Sequence, residues 1–108
     1  MTADGMSFGR QISKARKAAA LSQKELAAKI LKEENGVAIS PQYLNDIEHD
    51  RRSPTSDHLI RQFAKVLDID EGVLFLTAGK FPDDLRRKLN DPAKAAEAFV
   101  NFRRAITD

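Results

Sequence analysis

The stretch ISPQYLNDIEHDRRSP, Ile39 to Pro54, decides how the rest of the chain is read. Ser40 followed by Pro41 is a helix start signal, because proline at the first helical position loses no hydrogen bond and its φ angle is already suitable. Leu44 and Ile47, three residues apart, share one face and give this helix a buried edge. Pro41, Gln42, Asn45 and Asp46 project to the other side. The helix is expected to end near His49 or Asp50, and Arg51 and Arg52 follow it in a loop. A short helix with one apolar edge needs a scaffold to hold it, so the flanking sequence must supply one.

Working outward, glycines and prolines leave room for helices and few strands, and no long alternating β-branched run occurs, so an all-α fold is expected. A first helix is predicted over Ser7 to Ala20, with Phe8, Ile12, Ala15 and Ala19 on one stripe and Arg10, Lys14 and Lys17 on the other face. Ser22 and Glu25 form a capping box, SQKE, that opens a second helix with Leu26, Ala27 and Ile30 facing inward. Lys32 to Asn35 is polar and closes at Gly36, as a helix end does. Beyond Pro54, Thr55 or Ser56 can cap a fourth helix carrying Leu59, Ile60, Phe63, Ala64 and Leu67. Asp70 can cap a fifth, apolar through Val73, Leu74 and Leu76, which Gly79 stops. These five helices, within residues 1–80, make a compact bundle.

Residues 81–108 read as a helical extension. Pro82 and Pro92 each mark a helix start, and Asp83 and Asp84 suit a helix N-terminus, where negative charge offsets the dipole. Ala95, Phe99, Phe102 and Ile106 follow one another at spacings of four, three and four, a narrow seam of the kind used between two helices. Phe99, Phe102 and Ile106 fit either a fold-back onto the same chain or a dimer interface.

Bulk properties narrow the possibilities. The chain has 108 residues, 31% charged and 42% hydrophobic, which suits one globular domain with a short appendage. There is no cysteine, so packing alone must hold the fold. No apolar run approaches a bilayer span, and MTADGMSFGRQ lacks the apolar core of a secretory signal, so no membrane partner and a cytoplasmic location are expected. A formal charge of +2 permits a nucleic-acid partner without demanding one. His49 and His58 lack a third ligand at metal-binding spacing. No phosphate loop, nucleophile elbow or zinc-protease motif is present, so neither an enzyme nor a metal or other cofactor is expected.

The exposed amides of Gln42 and Asn45 carry donor and acceptor together, as the N6/N7 edge of adenine requires. Arg51 and Arg52 are placed to grip phosphates, with Gln23 and Lys24 doing likewise from the start of the second helix. Taken with ISKARKAAALSQKELAAKI before it and LIRQFAKVLDIDEGVLFLTAG after it, the opening stretch resembles the helix-turn-helix regulators of the Cro and phage C1-repressor type, the XRE family. The resemblance covers roughly the first three quarters of the chain. It implies a five-helix, lambda-repressor-like DNA-binding bundle whose helix from Ser40 to His49 reads the major groove.

On that resemblance Gln23 contacts phosphate and orients the reading helix. Gln42, Asn45 and Asp46 face the bases with Pro41, while Ser40 and Tyr43 touch the sugar-phosphate chain and Arg51 and Arg52 approach phosphate. Arg16 and Glu48 form a structural ion pair. The expected partner is double-stranded DNA with a near-palindromic operator, bound by a homodimeric repressor; the alternative is an antitoxin that neutralises a protein partner on the same fold. The sequence departs from the family in the long connection LKEENGVAI, which implies a longer second helix or a looped-out turn. It departs also at Pro41, which offers only apolar contact, and at His49 and Asp50, which replace a glycine-containing turn. Asp46 brings a carboxylate near phosphate, unfavourable unless it accepts from cytosine N4 or pairs with an arginine.

Overall fold

Helix starts in this chain are set by short polar side chains that accept from backbone N–H groups the helix itself cannot satisfy. In the computed structural model, which describes residues 7–53 and 56–107, they open α1 (Phe8–Ala18), α2 (Gln23–Lys29), α3 (Pro41–Glu48), α4 (Asp57–Leu67) and α5 (Glu71–Thr77). Two more helices follow, α6 (Asp83–Lys88) and α7 (Pro92–Thr107), and the described residues contain no strand. Ser7 accepts from the Arg10 N–H, Ser40 from Tyr43 and Ser56 from Leu59. At α4 the cap is thus Ser56; Thr55 lies outside the described residues. Ser22 and Glu25 form the full capping box, and Asp70 accepts from Gly72 and Val73.

Ile12, Leu26, Ile30, Leu44, Ile47, Ile60, Phe63 and Leu74 are fully enclosed and build one core from α1 to α5. Phe8 meets Phe63 edge-on, with ring centroids 6.1 Å apart. Three expectations need correction. The first helix stops at Ala18: Ala20 takes a left-handed φ of 59°, and the Leu21 N–H returns to the Arg16 carbonyl, which leaves Ala19 exposed instead of on the core stripe. In α5 the inward residues are Leu74 and Phe75, whereas Val73 and Leu76 face solvent.

The third correction concerns the long connection. The second helix does not continue to Gly36. Ile30 is extended, at φ −103° and ψ 110°, because its side chain belongs to the core. The chain then makes a small antiparallel excursion. Leu31 bridges Ala38, the Lys32 N–H donates to the Val37 carbonyl, and the Ile39 N–H donates to the Ile30 carbonyl at 2.9 Å. Gly36 does take a positive φ, 67°, but it turns this excursion and not a helix end. Gln62 Oε1 accepts from the Leu31 N–H, and His58 Nε2 lies 3.0 Å from the Leu31 carbonyl, so α4 anchors the excursion.

The extension is held differently. Neither α6 nor α7 has a buried residue. The tie to the bundle is Asp57, buried at the start of α4. Its Oδ2 accepts from the Asp83 N–H at 2.9 Å and lies 3.6 Å from Arg86. The Lys80 ammonium sits 3.2 Å from Oδ1, an ion-pair contact outside hydrogen-bond alignment. Sequence reading passed over Asp57, which resembled one more acidic residue in a first helical turn. Among the described residues no helix is long and apolar enough to cross a membrane.

Candidate nucleic-acid interface

The exposed side of α3 is fixed from three directions. Leu44 and Ile47 plug it into the core. Toward α1, Glu48 receives Arg16 through both oxygens, Nε to Oε2 at 2.7 Å and Nη2 to Oε1 at 3.1 Å, while Nη1 donates to the Leu21 carbonyl. The side chains of Arg16 and Glu48 are only 11% and 2% exposed, so water does little to solvate either charge. Toward α2, the Gln23 amide donates to Glu48 Oε1 at 2.9 Å and to Asn45 Oδ1 at 3.1 Å. Gln23 therefore binds the two helices together at the corner of the motif, and the capping box sets where it stands. That box also holds the Glu25 carboxyl below its ordinary value, first through the Ser22 N–H and then through the Ser22 hydroxyl.

Two residues that sequence reasoning missed complete the support. Gly9, buried in the first turn of α1, lies against the end of α3. A Cβ there would press on the Ile47 carbonyl oxygen, the Glu48 carbonyl oxygen and the Asp50 carboxylate. Asp50 takes a left-handed φ of 59°, a conformation aspartate tolerates better than most residues. It thereby aims its carboxylate at the start of α1, accepting from the Gly9 N–H at 3.0 Å and the Ser7 hydroxyl at 2.5 Å. The residue standing where a glycine turn is usual thus caps another helix. An isolated glycine inside an amphipathic helix was the available signal for Gly9.

On the solvent side, Asp46 is a hub. It accepts from the Gln42 amide at 3.1 Å, from Arg51 Nε at 3.3 Å, and pairs with Arg52 Nε at 3.6 Å. The backbone repeats the tie, since the Arg51 and Arg52 N–H groups both donate to the Asp46 carbonyl. Both arginine side chains remain more than half exposed, and the Arg52 guanidinium lies 5.5 Å from the centre of the Tyr43 ring. Tyr43 itself is half-buried against the core. Pro41 and Lys24 are exposed. The Ser40 hydroxyl is engaged as the helix cap, and His49 Nδ1 contacts the Asn45 carbonyl. One patch thus collects Ser40, Pro41, Gln42, Tyr43, Asn45, Asp46, Arg51 and Arg52 around α3, with Gln23 and Lys24 at the start of α2. Phe99, Phe102 and Ile106 lie apart from it on α7.

A capped helix, a connection and a second capped helix with a polar, arginine-flanked outer face, set on a five-helix core, define a helix-turn-helix DNA-binding domain. A family model described as "Helix-turn-helix" matches residues 12–74, more than half of the chain. The protein belongs to that family, the Cro/C1 or XRE type of DNA-binding regulator. Among solved structures, the chain is similar to one titled as the SinR protein/SinI protein complex, at 21% identity and a TM-score of 0.52, covering 90% of this chain and 94% of that one. At this identity the likeness is one of fold. No curated protein matches the chain significantly.

Proposed function

We propose that the protein is a sequence-specific repressor that places α3 in the major groove of a near-palindromic operator, two subunits occupying grooves about 34 Å apart and blocking polymerase. The observation that carries this reading is the immobilised outer face of α3, with two amides between a buried support and a basic exit. Arg51, Arg52 and Lys24 supply phosphate contacts, which give most of the affinity and its steep fall with salt. Ser40 and Tyr43 lie beside the same backbone. Pro41 offers an apolar contact, such as to a thymine methyl.

The hydrogen bonds refine how the amides read. Gln23 donates to one lone pair of Asn45 Oδ1, and the Asn45 amide N–H2 suits an acceptor such as guanine O6 or N7 or thymine O4. Gln42 keeps its carbonyl oxygen and one N–H, the pair that adenine's N6/N7 edge takes. Replacing Gln42 and Asn45 together with alanine is expected to cost roughly 1–3 kcal/mol of discrimination per lost contact and leave binding to random duplex nearly unchanged. Competition binding with a site selected from random DNA measures this; an unaltered preference would sink the assignment.

Asp46 sets a second expectation. It holds both arginines by exposed pairs worth about 0–1 kcal/mol each, weak enough for phosphate to displace. Its own charge then opposes the DNA unless a base donor, such as cytosine N4, satisfies it. Asp46→Asn is therefore expected to tighten binding to random duplex by about 3–10-fold, a change of order 1 kcal/mol, and to narrow the gap between cognate and random sites. Fluorescence anisotropy on a random duplex at two salt concentrations tests this; weaker binding would show that the Asp46 charge does not oppose the DNA.

A second reading, a module that neutralises a protein partner on the same fold, draws on the exposed apolar side of α7 and on the similar structure being that of a protein–protein complex. Co-purification of a stoichiometric partner protein from native cells would favour it.

A further inference from the structure

Seven of the ten large hydrophobic residues that stand exposed fall between Leu76 and Ile106, in the last turn of α5 and in the extension. Five of them meet. Leu76 of α5, Phe81 of the linker, Leu85 of α6, and Phe99 and Phe102 of α7 line one open groove of about 450 Å³, a size usual for a small-molecule site. Each is between 43% and 64% exposed, so the groove leaves apolar surface in water that an occupant would cover.

The charged groups of the groove are all of one sign. Among the described residues that line it, Lys88 and Lys94 are the ionised ones, and no carboxylate stands with them. Lys88 closes α6 and Lys94 lies in the first turn of α7, both exposed, so the two ammonium groups belong to the corner where these helices join. Phe102 stands two turns further along α7, about 12 Å from Lys94 by the rise of the helix. The groove is therefore apolar along its length and positive at one end. A polar ligand would find no hydrogen-bond partner along the walls, and a purely apolar one would leave both lysines without a counter-charge.

We propose that the groove binds a free long-chain carboxylate, an amphiphile of the fatty-acid class, with its chain along Leu76, Phe81, Phe99 and Phe102 and its carboxylate at Lys88 and Lys94. Burial of the chain supplies the affinity. The lysine stems can lie along apolar surface while their ammonium groups stay in water beside the carboxylate. Because the lining comes from α5, the linker, α6 and α7, the occupant also covers α7, none of whose residues is otherwise buried, and joins it to the bundle. The site stands apart from the outer face of α3, so the proposal does not rest on DNA binding, and its test uses no DNA.

Isothermal titration of the full chain with sodium dodecanoate below its micelle concentration is expected to show saturable uptake, with decanoate and octanoate binding about 2- to 4-fold more weakly for each methylene removed. Decanol is expected to bind about 3- to 10-fold more weakly than decanoate, and Lys88→Gln with Lys94→Gln to remove that difference by weakening the acid alone. Phe99→Glu with Phe102→Glu, which sets two carboxylates in the groove, is expected to abolish uptake with the helical circular dichroism kept, since the core of α1 to α5 contains neither residue. Absence of dodecanoate uptake by the full chain overturns the proposal, as does equal affinity for acid and alcohol. Capture of phosphatidylglycerol vesicles without uptake of free acid overturns it too, and assigns the face to a membrane surface. If the double phenylalanine variant lowers the sedimenting mass of the chain but still takes up dodecanoate, the groove belongs to a second copy and the carboxylate site falls.

Discussion

Glu48→Ala is expected to lower stability by about 3–5 kcal/mol, a large part of what a domain of this size possesses. The substitution leaves the Arg16 guanidinium, 11% exposed and aimed into the junction of α1, α2 and α3, without its counter-charge. It also removes one of the two acceptors of Gln23. Urea unfolding followed by circular dichroism gives the loss directly. The companion experiment is the double substitution Arg16→Met with Glu48→Leu. If the penalty comes from a stranded charge and not from lost attraction, the double variant recovers most of it, because an apolar pair of similar volume needs no solvation. Equal losses in the single and double variants would show that the guanidinium is not stranded when Glu48 is removed.

The second large effect is expected at Gly9. A methyl group there meets two carbonyl oxygens of α3, the nearer at Ile47 and that of Glu48 at 2.8 Å, and neither can swing aside as a side chain would. Helix α1 has to withdraw from α3, and the cap from Asp50 to the Gly9 N–H is disturbed as it does. Gly9→Ala is accordingly expected to cost about 3 kcal/mol or more, although alanine is the better helix former in isolation. Thermal unfolding of the variant tests the sign as well as the size. A gain in melting temperature would mean that α1 and α3 approach less closely than described.

Both effects concern residues whose importance depends on partners far along the chain, and this marks what could be read from the sequence. Helix starts were legible at Ser22, Ser40 and Asp70 because a cap and its N–H donor are neighbours in sequence. Ile12, Leu26, Leu44, Ile47 and Phe63 were legible as core because apolar spacing reports burial locally. The Arg16 and Glu48 contact came from family likeness, and nothing in the spacing of the two residues required it. Gly9, Asp50 and Asp57 act on partners far along the chain, 41 residues apart for Gly9 and Asp50 and 26 for Asp57 and Asp83, and leave no local trace beyond an odd glycine or one more acid. The connection after α2 misled for the opposite reason. Lys32 to Gly36 has the local composition of a helix end, but Ile30 is needed in the core in an extended conformation, and tertiary packing overrode the local preference. In the candidate interface, the exposure of Gln42, Arg51 and Arg52 was legible and the bonds among the residues around them were not. That Asn45 is held through its oxygen by Gln23, or that Asp46 gathers both arginines, follows only from how α2 and α3 sit together.

The pinch between Ile30 and Ile39 has a consequence for how this motif can change. Because the Ile39 N–H closes on the Ile30 carbonyl at 2.9 Å, the eight residues between them leave and rejoin the fold at nearly one point. Their number is decoupled from the docking of the helices on either side, since lengthening a loop whose ends already meet adds little closure entropy. Residues 32–37, beyond the Leu31–Ala38 bridge that α4 anchors, therefore form an exchangeable cassette. Sequence drift can accumulate there without moving α3, and a fluorophore or foreign peptide grafted near Asn35 would sit beside the corner of the motif while leaving both helices as they are.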